Sequence, residues 1–310
     1  MKKLTYIFAG AAILALCLTA CREIEITLPA DTSPPVTEPV AYPVDVGSLT
    51  ILEAPVNVAS LSPALTEIIC DLGYGDSLTG KSSYCTAGNA AAVNIGSSAN
   101  PDIDAIKSLA PQLLVSQSPI AKKDVVAMET VGTRVLIMKS PTTYDELFDC
   151  YRDIAAMFTG GVNAESVAEN ALLPLKTAID GIPKNDYTYA YIVTPDLTVV
   201  SEETFLSVFG TNIAADTEDF SMTADELIAA NPDVIFLAKP LSASNLPPEL
   251  SDLTAVRTGM VIPVDNTVLE RPTASISALI EDIKAQMANP AVPAVQETAA
   301  EETAEAPAEG

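Results

Sequence analysis

From about residue 50 to residue 288, short apolar runs alternate with stretches in which apolar residues return every three or four positions. Residues 57–61 (NVASL) read as a strand, and 63–72 as a helix that Ser62 caps and Gly73 ends. Leu113, Leu114 and Val115, and then 135–138 (VLIM), are short runs of the buried-strand type. Across 144–158, Leu147, Tyr151, Ile154 and Phe158 recur at helical spacing, which predicts an amphipathic helix. Residues 162–182 place Val167, Ala171, Leu172, Leu175 and Ile179 on one face. They predict a longer helix, with Pro174 inside it as a point where it can kink. Strand-type runs restart at 189–193, 234–237 and 261–264. Such alternation predicts mainly parallel sheets flanked by helices, the α/β class.

The two halves of this pattern repeat each other. Residues 104–115 (DAIKSLAPQLLV) and 225–236 (DELIAANPDVIF) each place an acid seven residues before a proline, with a helix between and a buried strand after. Each half then runs through Gly132 or Gly259 into a further strand, a proline and an amphipathic helix. Two mainly parallel-sheet α/β lobes, 49–160 and 184–288, are therefore expected, joined by one long helix within 161–183.

The ends of the chain have a different character. Lys2 and Lys3 precede an uncharged apolar run from Tyr6 to Leu18, which is short for a membrane span and suits a secretory signal over residues 1–20. It ends in Leu18-Thr19-Ala20-Cys21, the pattern of a bacterial lipoprotein cleavage site, so Cys21 is the expected lipidation residue. Residues 21–48, rich in proline, threonine and acid, read as a disordered tether from a lipid anchor in the membrane, at about 3 Å per residue. Residues 289–310 are dominated by Pro, Ala and Glu and read as an acidic disordered tail. The expected location is extracytoplasmic, at the outer face of the cytoplasmic membrane or facing a periplasm.

Composition narrows the chemistry. A formal charge of −25 argues against nucleic acid and anionic lipid headgroups as partners. The chain holds no histidine, which removes Ser-His-Asp and Cys-His nucleophile systems, His-ligated zinc and His-ligated haem. No enzymatic activity and no resident cofactor are expected; a metal enters only as part of a ligand. After Cys17 and Cys21, three cysteines remain, Cys70, Cys85 and Cys150, and the sequence does not choose a pairing among them. Cys70 and Cys150 sit in apolar helical patterns and are expected in the core.

Residues 60–68 (SLSPALTEI), Gly73, 79–84 (TGKSSY), 100–104 (NPDID), the strand after Pro111, 209–212 (FGTN), the strand after Pro232 and 269–272 (LERP) stand in a recognisable order. Together they resemble the cobalamin and ferric-siderophore receptors of ABC importers, over about residues 50–288. The resemblance implies two α/β lobes bridged by one long helix, a ligand cleft between them, and a monomer working with an ABC permease and its ATPase. It implies capture of a small metal chelate, a cobalamin-type corrinoid or a ferric siderophore. A haem receptor of the same fold, or a surface sensor or scavenger without a permease, are the alternatives it leaves.

Site residues follow from the same resemblance. Ser62 and Tyr84 both follow predicted strands of the first lobe. Tyr84 matches a ligand-contacting tyrosine, whose flat face and polar tip suit a corrin ring or a catecholate. Arg271 matches a cleft arginine able to pair with ligand carboxylate or phosphate. The chain has no tryptophan, although the best-known cobalamin receptors line the cleft with several. Those positions become Ser98, Gln117 and Asp219, with Phe220 beside the last, which implies a more polar and open cleft. Asp104 and Asp225 match two acids that dock on permease arginines, one per lobe. Each is also placed to complement the dipole of its own helix, and Thr223 and Glu226 have capping-box spacing.

Overall fold

The computed structural model describes residues 41–217 and 220–291. The signal segment, Cys21, the first part of the tether, Asp219 and the tail from residue 292 lie outside the described residues.

The first sheet has five parallel strands: β3 (Val58–Ser60), β4 (Leu78–Lys81), β5 (Val93–Asn94), β6 (Leu113–Ser116) and β7 (Arg134–Ile137), in the order β5-β4-β3-β6-β7. Helices α1 (Pro63–Asp71), α2 (Ile103–Leu109) and α3 (Lys122–Glu129) connect them. The second sheet has four parallel strands: β8 (Thr188–Ile192), β9 (Thr211–Asn212), β10 (Val234–Ala238) and β11 (Val261–Val264), in the order β11-β10-β8-β9. Its helices are α6 (Ala224–Ala230), α7 (Thr254–Arg257), α8 (Asn266–Glu270) and α9 (Ile276–Ala288). Between the sheets run α4 (Tyr144–Thr159) and α5 (Ala164–Asp180). Strands β3, β6 and β10 are buried along their whole length, as parallel strands covered on both faces must be.

The internal repeat has a structural counterpart. Both α2 and α6 are seven residues long, and each starts at a side-chain cap, Asp102 or Thr223. Each ends on a left-handed residue, Ala110 (φ 42°) or Asn231 (φ 44°), before the proline and the central strand. Asp104 and Asp225 occupy the same second position of their helices, and both are exposed.

The sequence pattern places one long helix between the lobes; the structure pairs it with α4, of nearly equal length. A single core runs through both. It joins Val58, Leu65 and Val115 on the first side to Tyr189, Phe236 and Ile262 on the second, through Leu147 and Ile154 of α4 and Leu172 and Leu175 of α5. Each such apolar side chain contributes about 1.5–3 kcal/mol on burial. Pro174 leaves the Asn170 carbonyl without its helical donor, but the position is exposed and α5 continues through it.

Tyr151 of α4 ties the two sides together. Its buried hydroxyl donates to Asp71 Oδ2 at the end of α1 (2.7 Å) and accepts the Ala274 N–H just before α9 (2.9 Å).

Within the stretch expected as tether, β1 (Val44–Val46) and β2 (Leu49–Ile51) form an antiparallel hairpin. Tyr42 donates its hydroxyl to Met157 O, and Gly161 N–H donates to Ala41 O. Gly160 turns the chain from α4 into α5 at φ +70°, and a Cβ there would lie 2.1 Å from Ala41 O. Residues 41–51, expected in part as disordered tether, are thus held against the α4–α5 corner.

Candidate ligand cleft

In open parallel sheets, ligands bind beyond the carboxyl ends of the strands. Here the ends of β3, β4 and β6 on one side and the segment after β11 on the other enclose a cavity of about 340 Å³. Ser62, Tyr84, Ser98 and Gln117 line it from the first lobe, with Ser97 and Ser118 beside them. Glu270 and Arg271 line it from the second. Five of the six expected ligand residues thus meet at one place. Phe220 does not: it is 49% exposed, at φ +52°, and is not among the lining residues. Its carbonyl accepts the Val199 N–H, a contact within the second lobe.

Twin serine turns build the floor. Ser60, at the end of β3, donates its hydroxyl to Ser62 O and accepts the Ser62 N–H. Ser116, at the end of the neighbouring β6, does the same with Ser118. Both serines are fully buried, and each hydroxyl substitutes for the ladder bonds that its strand gives up on leaving the sheet. The serine pairs 60/62 and 116/118, each following an apolar run, are the sequence signal that marks these turns.

Ser62 is only 5% exposed. Its Oγ caps α1 by accepting the Leu65 N–H and donates to Gln117 Oε1 at 2.6 Å. Ser62 is therefore a positioning residue more than a contact surface, and Gln117 carries the polarity into the cavity. Gln117 Nε2 is shielded from solvent and has no partner among the described residues. Whichever way round the amide sits, one of its two polar atoms lacks a partner among the described residues. Tyr84 is 63% exposed, on a loop held by its own N–H to Ser82 Oγ.

Arg271 follows α8 and is exposed at the cavity. No carboxylate lies within ion-pair distance of its guanidinium among the described residues. Glu270 is held instead by Asn266 Nδ2 at 2.6 Å, and Asn266 Oδ1 accepts the Tyr191 hydroxyl at 2.6 Å. Burial pushes the Tyr191 hydroxyl up, with the charges of Glu270 and Asp265 adding to it, so it stays a donor at neutral pH. The members of this Tyr191–Asn266–Glu270 chain lie on different elements, so no local spacing in the sequence marks it.

All three described cysteines, Cys70, Cys85 and Cys150, are free thiols; Cys150 is buried and Cys70 half-buried. Among the described residues, no group of three or more His, Cys, Asp or Glu side chains is placed to hold a metal ion. No described helix is long and apolar enough to cross a membrane.

No family model matches the sequence. The chain is 26% identical over 268 residues to a Halobacterium salinarum "Cobalamin-binding protein", covering 78% of this chain and 71% of that one. It is 24% identical over 312 residues to the Bacillus subtilis "Uncharacterized ABC transporter substrate-binding lipoprotein YvrC", covering 91% and 96%. Among solved structures, the Vibrio cholerae periplasmic vitamin B12 binding protein BtuF superposes with a TM-score of 0.60 at 20% identity, over 76% of this chain and 97% of that one. The Vibrio cholerae periplasmic heme binding protein HutB gives 0.61 at 15%, over 76% and 99%. The relatives are those that the motif order pointed to, and the chain has the two-lobed α/β fold of these periplasmic binding proteins.

Proposed function

We propose that this protein is an extracytoplasmic receptor that captures a metal chelate between its lobes and delivers it to an ABC permease powered by its ATPase. The observation that carries this reading is Arg271, without an ion-pair partner among the described residues, lining one cavity with Tyr84 and Gln117 from the opposite lobe. A receptor needs such convergent, underused polar groups, and no covalent chemistry. The chelate is a cobalamin-type corrinoid or a ferric siderophore. The substrate-binding relatives support the transport role.

Within this reading, residues 49–160 and 184–288 are the lobes, 161–183 the connection, and Cys21 the lipid attachment site after removal of residues 1–20. The receptor works as a monomer. Asp104 and Asp225, at matched exposed positions of α2 and α6, are the permease contacts, one per lobe.

Gel filtration of the purified chain with a panel of coloured ligands tests the proposal. Co-elution of a corrinoid or ferric chelate is expected. Selective retention of haem would replace the ligand class, and binding of a sugar, peptide or bare metal ion alone would refute chelate capture.

A further inference from the structure

The charge arrangement around the cavity says which chelates fit it. No lysine or arginine occurs between Lys184 and Lys239, a stretch with ten acidic residues. The second lobe can therefore bring few cations to the cleft. Lys239, at the end of β10, has Asp265 close by; the Thr267 hydroxyl lowers that carboxyl, and Lys239 adds to the effect. On the first lobe, Lys139 at the end of β7 is paired with Glu146 at 2.6 Å. Lys81, at the end of β4, donates to Ala87 O at 3.1 Å. Lys122 and Lys123 are exposed at the start of α3 and do not line the cavity.

Among the described residues that line the cavity there is one cation, Arg271, with the carboxylate of Glu270 next to it, and a wall of neutral hydroxyls and one amide. Serine hydroxyls and the Gln117 amide can donate or accept, so they match carbonyl, amide and hydroxyl groups equally well. They can hydrogen-bond an anion but bring no opposite charge to neutralise it. A chelate with three negative charges would neutralise one on Arg271 and hold two beside Glu270, inside a chain of formal charge −25. Each such uncompensated charge costs on the order of tenfold in affinity at the permittivity of a protein surface.

We infer that the cleft selects chelates of low net charge with an amide- or hydroxyl-rich periphery and at most one anionic group, and discriminates against tricatecholate and polycarboxylate chelates. This rests on the chelate-receptor reading above and narrows it.

The test is titration of the purified full chain, followed by tyrosine fluorescence. The probes are an uncharged ferric trihydroxamate, an amide-decorated corrinoid, a ferric tricatecholate and ferric citrate. One of the first two is expected to bind on the order of 100-fold more tightly than either polyanion. Glu270→Gln is expected to narrow that gap by about tenfold, because it removes the neighbouring charge while keeping the shape. Binding of the tricatecholate or citrate within about tenfold of the best neutral probe would overturn the inference and leave the receptor reading intact. Binding of none of the four would overturn the receptor reading itself.

Discussion

Ser62 and Gln117, separated by 55 residues, meet at 2.6 Å where β3 and β6 leave the first sheet. The Ser62 hydroxyl serves two structures at once, capping α1 and holding the Gln117 side chain against the cavity floor. Ser62→Ala removes both bonds. It is expected to lower stability by about 1–2 kcal/mol and to weaken ligand binding by freeing the Gln117 rotamer. Ser62→Thr, which keeps a capping hydroxyl, is expected to recover most of the stability. Denaturant melts of the two variants check this, and an alanine variant as stable as wild type would contradict the dual role.

Tyr151 connects the end of α1 to the start of α9 through one hydroxyl. Tyr151→Phe keeps the ring in the core but strands the part-buried Ala274 N–H, at a cost of about 1–3 kcal/mol. Faster hydrogen exchange is expected at residues 273–275, next to Arg271, with the sheets still protected. Unchanged exchange there would show that the core alone sets the spacing of the lobes.

Cys150 gives a pH-dependent expectation. Burial pushes its thiol up to about 12, with Asp153 adding to the effect. Its folded-state value lies above the unfolded one, so its contribution to stability is complete below the ordinary thiol value of 9.0 and is lost as pH rises toward 12. At pH near 8 the native protein is expected to leave Cys150 unalkylated, and mild denaturant to expose it. Mass spectrometry of the alkylated peptide reads the result directly.

Much of the fold is legible along the chain, because its signals are local. Ser62 and the Thr223–Glu226 capping box form as the spacing predicts, and the apolar runs at 113–115 and 234–237 become central strands. The hairpin over 44–51 is not legible. Its proline-rich lead-in has no period, and what orders it is the remote corner at Gly160 and Gly161. The cleft divides in the same way. Tyr84, Gln117 and Arg271 stand next to strand ends, where sequence can place them. The Tyr191–Asn266–Glu270 chain and the Gln117 amide atom without a partner among the described residues depend on how side chains meet across elements, and no spacing encodes them. Phe220 shows the reverse case: the resemblance points to it at the cleft, and on its left-handed turn it is not among the residues that line the cavity.

Asp104 and Asp225 separate docking from capping. Asp104→Lys and Asp225→Lys are each expected to leave chelate affinity unchanged and to slow uptake, with the double variant slowest. A purely helical role predicts instead a loss of about 0.3–1 kcal/mol in stability for each, with uptake tracking only the amount of folded protein. Normal uptake by the folded double variant would end the docking proposal.

Capture of a chelate between the lobes is tested most directly by a crystal structure of the chain with the chelate it retains on gel filtration. Density is expected in the cavity between Tyr84 and Arg271, with the guanidinium engaged by the ligand and the Gln117 amide completed by it. A chelate seated instead in the separate hollow lined by Tyr187, Phe209 and Met287, with Arg271 and Gln117 unchanged, would contradict the assignment of this cleft as the receptor site.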